Sequence, residues 1–95
     1  SRSCMRFAPD EIHWIREDLR MMVGEMRRYR VRIRYRQPLQ DATLIMRDNG
    51  LYILFDAPQR GITSGQFAAW YAPVEPELAT RADDTSVEMI GSGVI

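Results

Sequence analysis

The stretch that decides the fold is Arg28–Pro38, which reads RYRVRIRYRQP. Successive side chains of a β-strand point to opposite faces of its sheet, so a strict alternation of residue types indicates a strand. The alternation here predicts a strand over residues 27–36, and Pro38 ends it because proline cannot donate to a strand ladder. One face of this strand carries Arg30, Arg32, Arg34 and Arg36, and the other face carries Tyr29, Val31, Ile33 and Tyr35.

Short apolar runs on both sides of this stretch predict further strands. Asp-Asn-Gly at 48–50 lies between two such runs and predicts a hairpin turn. Gly91 and Gly93 interrupt the last run, which indicates a bulge or a close approach of another backbone. Propensity leaves two alternatives for residues 16–26, a helical turn or a loop broken by a glycine, and a short extended piece is expected near Ile62. The six predicted strands are 11–15, 27–36, 41–47, 51–56, 67–72 and 87–95.

These elements predict an all-β domain without a long amphipathic helix. Six strands separated by turn signals are typical of a small antiparallel β-barrel or sandwich. With 95 residues, 45% of them hydrophobic, the chain has enough apolar side chains for one modest core. We expect residues 1–10 to be a linker remnant and residues 11–95 to form the barrel. Residues 73–88, with two prolines and five acids, predict an acidic loop insertion.

The net charge of zero conceals an uneven distribution of charge. Residues 1–36 hold ten arginines and five acids, whereas residues 37–95 hold three arginines and eight acids. Alternate residues of a strand lie about 6.6–6.8 Å apart, which is close to the step between phosphates along one nucleic-acid strand. Arginine binds phosphate with a planar, bidentate fork. The arginine row therefore predicts a nucleic-acid backbone as partner, with two alternatives: a solvated face paired with neighbouring acids, or a surface for an acidic protein.

Several function classes lack the residues that they need. No run of about 18 apolar residues is present to span a membrane. One cysteine and one histidine exclude an internal disulfide and a four-ligand zinc site. No nucleotide-binding glycine loop occurs. His13 is expected to be structural and Cys4 inert, so we predict no catalytic residue, metal or cofactor within this chain.

Four segments in order carry a resemblance to a known family. They are IHW at 12–14, VRIRYRQ at 31–37, LYILFDAPQRGITSGQFAAWY at 51–71 and IGSGVI at 90–95. Together they resemble the C-terminal domain of tRNA-specific 2-thiouridylases, which older usage calls tRNA (5-methylaminomethyl-2-thiouridylate)-methyltransferases. No single motif is diagnostic, but their order makes the match specific.

The resemblance implies a six-stranded β-barrel similar to domain 2 of elongation factor Tu. It implies a cytoplasmic enzyme that uses ATP to adenylate the wobble uridine (U34) of tRNA and then transfers a persulfide sulfur to it. Other domains, with an SGGxDS loop and two catalytic cysteines, would do this work and meet a sulfur-relay protein or a cysteine desulfurase. The barrel would hold tRNA, and it would contact neither DNA nor a membrane.

The resemblance also implies which residues touch tRNA. Arg34 and Tyr35 stand in the family's Arg-Tyr-Arg-Gln segment, and Gln66 stands in its Thr-x-Gly-Gln turn. Arg32 and Arg36 join them by the alternation argument. The two arguments disagree on Tyr35, because the resemblance places it at the tRNA whereas alternation places it on the face opposite the arginine row. The rival hypothesis is a non-enzymatic RNA-binding or protein-interaction β-barrel module.

Overall fold

A computed structural model describes residues 2–73 and 87–95 of the chain. This part forms one antiparallel sheet, which confirms the all-β antiparallel prediction, but with seven strands instead of six. No helix among these residues is long and apolar enough to cross a membrane. The strands are β1 (Arg2–Phe7), β2 (Ile12–Trp14), β3 (Met26–Arg32), β4 (Gln40–Arg47), β5 (Gly50–Gln59), β6 (Phe67–Pro73) and β7 (Val87–Val94), in the order β1-β5-β4-β3-β6-β7-β2.

Strand β1 corrects the prediction that residues 1–10 are a linker remnant. It pairs with β5 over Arg2–Phe7, and a short 3-10 turn at Pro9–Glu11 leads from it into β2. Met5 and Phe7 are buried, while Arg6 between them is exposed. This alternation is the period of a strand with one face in the core. It covers only three residues, which is too short a pattern to predict a strand.

The curl of the sheet brings its two edge strands to one core. The ring centre of Phe7 on β1 lies 5.9 Å from that of Trp70 on β6, and Trp14 of β2 packs edge-on against the same ring with 5.5 Å between ring centres. Trp70 is fully buried. Since β1 and β2 stand at opposite ends of the strand order, these contacts require the sheet to wrap round as a barrel does.

The Gly-x-Gly segment of β7 contains the predicted bulge and also passes close to buried aromatic side chains. The register between β6 and β7 shifts at Trp70, where Ile90 is the extra residue of a bulge. A Cβ added at Gly91 would lie 2.7 Å from Nε1 of Trp70, and one added at Gly93 would lie 2.9 Å from the Phe7 ring. Only glycine lets this strand pass so close to the buried aromatic rings.

The remaining segments follow the sequence in most respects. Asp-Asn-Gly closes the β4–β5 hairpin as predicted. Residues 16–26 hold one 3-10 turn at Glu17–Leu19 and a turn at Gly24, so both alternatives are partly right. No strand occurs near Ile62, because the chain leaves β5 at Gln59 and bends towards β6. Most of the predicted acidic loop, residues 74–86, lies outside the described residues.

Candidate nucleic-acid interface

The arginine-rich strand is shorter than the alternation predicted. It ends at Arg32, and residues 33–37 form a bend and turn, so the prediction of a strand through residue 36 is wrong. The amide of Gln37 donates to the carbonyl of Arg34 at 3.1 Å, and its side chain donates to Gln59 at 3.2 Å. This bond to a residue of β5 fixes the chain in a turn, although the residue pattern continues to alternate.

Two arginines of β3, Arg28 and Arg30, are paired with acids. Both Nη atoms of Arg28 donate to the carboxylate of Asp56 at 2.7 Å, in a bidentate pair that reaches across β4. Arg30 lies 3.7 Å from the carboxylate of Asp41 on the neighbouring strand. For these two arginines the solvated, acid-paired alternative is the right one.

The pair between Arg28 and Asp56 predicts an acid-sensitive contribution to stability. The hydrogen bonds from Arg28 hold the pKa of Asp56 below its ordinary value of 3.8. The carboxylate therefore stabilises the fold above that value, and the contribution is lost as the pH falls through the lowered pKa. We expect Asp56→Asn to melt below the wild type at pH 7, with the difference vanishing in strong acid. Thermal unfolding across pH checks this, and a difference that grows in acid would contradict it.

The other arginines of the row form no ion pair within residues 2–73 and 87–95. Arg34 donates to the backbone carbonyls of Arg60 and Gly61 at 2.7 and 3.4 Å, which leaves its charge uncompensated. The guanidinium of Arg32 lies 5.8 Å from the ring centre of Tyr71, a cation–π contact. Arg36 is exposed. Three positive charges thus collect where β3 ends.

Arg60 adds a fourth cation that sequence reasoning missed. Its carbonyl accepts from Arg34, and its own side chain is exposed. Gly61 follows with φ +68°, and a Cβ there would lie 2.8 Å from Nη2 of Arg34. The glycine therefore lets this loop close on the guanidinium, and the residue spacing in the sequence contains no sign of this contact.

Tyr35 lies in solvent with 87% of its surface exposed. The alternation rule placed it on the apolar face, which is wrong because the strand has already ended at Arg32. In the turn, the adjacent residues Arg34 and Tyr35 are both exposed, so the guanidinium and the aromatic ring are both accessible from solvent.

Gln66 is the last residue of the turn that precedes β6. Its side-chain oxygen accepts a hydrogen bond from the backbone N–H of Thr63 at 3.2 Å, and its backbone N–H donates to the carbonyl of Thr63 at 3.3 Å. Gly65 adopts φ +86° in this turn. Because β3 and β6 are antiparallel, Gln66 stands at the same end of the sheet as the turn after Arg32.

A depression of about 390 Å³ joins several of these residues on the outer side of β3 and β6. It brings together Arg32, Arg34 and Tyr35 of the predicted site, whereas Arg36 and Gln66 do not line it. Phe67, which the sequence analysis did not single out, also lines this depression, with 51% of its surface exposed. The full lining is Arg32, Ile33, Arg34, Tyr35, Phe67, Ala69 and Tyr71.

The arrangement offers cations and aromatic faces, and it offers few groups for acid–base chemistry. Among the described residues no three His, Cys, Asp or Glu side chains converge as metal ligands. Cys4 is exposed on the far edge strand β1. Such a surface suits binding of a polyanion that carries flat rings.

Fold and surface together define a small antiparallel β-barrel domain with a basic, aromatic patch beside one end of β3. Residues 5–95 match the family model of the aminomethyltransferase beta-barrel domain, and the chain belongs to that family. Its named relatives are tRNA-specific 2-thiouridylases MnmA, and the chain matches their C-terminal part. The resemblance indicated by the sequence motifs is thereby confirmed.

Three relatives give the extent of the match. The chain is 48% identical over 94 residues to the tRNA-specific 2-thiouridylase MnmA of Christiangramia forsetii, covering 99% of this chain and 20% of the relative. It is 52% identical over 85 residues to that of Flavobacterium johnsoniae, with 90% and 18% covered. It is 37% identical over 84 residues to that of Karelsulcia muelleri, with 88% and 18% covered. The chain spans about a fifth of the length of these relatives.

Proposed function

We propose that this chain holds tRNA for an enzyme that 2-thiolates the wobble uridine of tRNA. The observation that carries the proposal is that the alternating arginines of residues 28–36 divide into two groups. Arg28 and Arg30 have carboxylate partners, whereas Arg32, Arg34 and Arg36 have none among the described residues and lie next to the exposed Tyr35. The names of the relatives, tRNA-specific 2-thiouridylases, support tRNA as the polyanion.

The role of this surface is to position tRNA. Guanidinium groups bind phosphate oxygens irrespective of base sequence, so they fix the register of the RNA and leave recognition of the base to other contacts. The chemistry belongs to other domains of the proposed enzyme. There ATP adenylates the uridine, and a persulfide sulfur, delivered by a sulfur-relay protein or a cysteine desulfurase, is transferred to it. The proposed enzyme works in the cytoplasm.

Replacing Arg34 with alanine in the full-length protein tests the proposal. We expect tRNA binding to weaken about tenfold, the loss of one charge-assisted hydrogen bond to phosphate. The slope of log K against log salt should fall by about 0.7–0.9, the value for one neutralised phosphate. Filter binding of tRNA between 50 and 300 mM salt measures both quantities.

Arg28→Ala is the matched control. Arg28 is an exposed arginine of the same segment, but its charge is already compensated by Asp56. Its removal should leave the salt slope at the wild-type value. Equal losses for the two variants would show that net charge, and not this patch, determines binding. Binding of an acidic protein without binding of tRNA would support the rival interaction module.

A further inference from the structure

We propose that the depression between β3 and β6 receives one unpaired nucleobase of the bound RNA. The inference rests on the proposed function and adds to it a contact with a base. Phe67, Ala69 and Tyr71 alternate along β6, and all three line the depression, so they share one face of the strand. Ala69 between the two aromatic residues is buried and forms the floor of the depression.

Two aromatic side chains at the depression expose their rings to solvent. Phe67 is half-exposed although it is a large aromatic residue, and Tyr35 stands almost fully in solvent at the same depression. Exposed aromatic rings are the usual platforms on which single-stranded bases stack. The volume of about 390 Å³ lies near the lower end of the roughly 300–1,000 Å³ of small-molecule sites.

The cations at this site match the phosphates that accompany a base. Arg32 pairs directly with Ala69 across the two strands, and its guanidinium lies over Tyr71. Arg34 lines the same depression and lacks an acidic partner in the part of the chain that the structure describes. A base bound in the depression would therefore have these two arginines next to the phosphates of the RNA backbone.

An RNA duplex cannot use this depression. Its bases are stacked on each other and paired, and their ring faces are closed to protein side chains. Only a nucleotide from a loop or a strand end presents its faces. The depression thus predicts a preference for RNA with unpaired nucleotides, which phosphate contacts alone do not produce.

Phe67→Ala in the full-length protein tests this inference with two RNAs, a single strand and a blunt-ended, fully paired stem that this strand forms with its complement. We expect affinity for the single strand to fall about 5- to 50-fold, since stacking on one ring is worth about 1–3 kcal/mol per base. Affinity for the paired stem should change less than twofold, and the salt slope should stay constant for both RNAs. Phe67→Tyr keeps the ring and should bind both RNAs as the wild type does.

A spectroscopic measurement gives an independent readout. Single-stranded RNA that carries 2-aminopurine at one position loses fluorescence when that base stacks on an aromatic ring. We expect the wild type and Phe67→Tyr to quench the probe at one position of the strand, and Phe67→Ala to quench it much less.

Two results would overturn the base site. One is an unchanged affinity of Phe67→Ala for the single strand, and the other is an equal loss for the paired stem. In both cases Arg34→Ala still tests the proposed function separately, through its salt slope. A normal slope for Arg34→Ala together with full tRNA binding would overturn tRNA holding by this patch, and the base site with it.

Discussion

Replacing Gly50 with alanine is expected to destabilise the domain by about 2–6 kcal/mol. Gly50 opens β5 with φ +136°, and a Cβ there would lie 2.1 Å from the carbonyl oxygen of Phe7 on β1. A side chain in this backbone region costs about 1–3 kcal/mol, and the forced displacement of packed atoms costs about as much again. The atom that is hit belongs to the backbone, so no change of rotamer can relieve the contact.

The matched control for this variant is Gly24→Ala. Gly24 also has a positive φ, of +97°, but nothing lies within 4 Å of the position of its added Cβ. Gly24→Ala should lower the free energy of unfolding only by the cost of the backbone conformation, about 1–2 kcal/mol. Hydrogen exchange of the β1 peptide in the full-length protein distinguishes the variants. We expect β1 to lose protection in Gly50→Ala alone, and equal protection in both variants would refute the contact.

Trp70→Ala is expected to have an effect of similar size, about 3–5 kcal/mol. Trp70 is fully buried, and the rings of Phe7 and Trp14 pack on it from the two edge strands. Its loss would leave a cavity where the sheet closes. A domain of this length has about 5–15 kcal/mol of total stability, so the variant should populate unfolded protein at moderate urea concentrations.

Phe67→Ala serves as the control on the same strand. Phe67 is about half-exposed, and its truncation removes little buried surface. Urea unfolding should give a midpoint near the wild type for Phe67→Ala and a much lower midpoint for Trp70→Ala. A large loss for Phe67→Ala would mean that its ring supports the fold, which would also weaken its proposed use as a stacking platform.

Local patterns predicted those parts of the fold that local chemistry determines. Alternation placed most strands, Asp-Asn-Gly placed the β4–β5 hairpin, and the two glycines of β7 indicated the bulge. Strand β1 was missed because its burial depends on pairing with β5, some fifty residues further along. The early end of β3 was missed for the same reason, since Gln37 is held by Gln59.

The site shows a similar division. Sequence identified Arg32, Arg34 and Tyr35, which do line one depression. It did not separate them from Arg28, because the acid that neutralises Arg28 lies across another strand. Whether one aromatic residue is buried or exposed depends on how the whole sheet is assembled. The exposure of Phe67 therefore could not be predicted from the sequence.

The pairing of β2 with β7 has a consequence for synthesis on the ribosome. Ile12 faces Gly93 across these strands, so an early segment of this chain must wait for a late one. Contacts between residues so distant in sequence form slowly, because a long loop has to close first. The nascent barrel therefore stays open, with the apolar side chains of β2 without their partner strand, until β7 has left the exit tunnel. Chaperones that bind emerging apolar segments would have this interval in which to act.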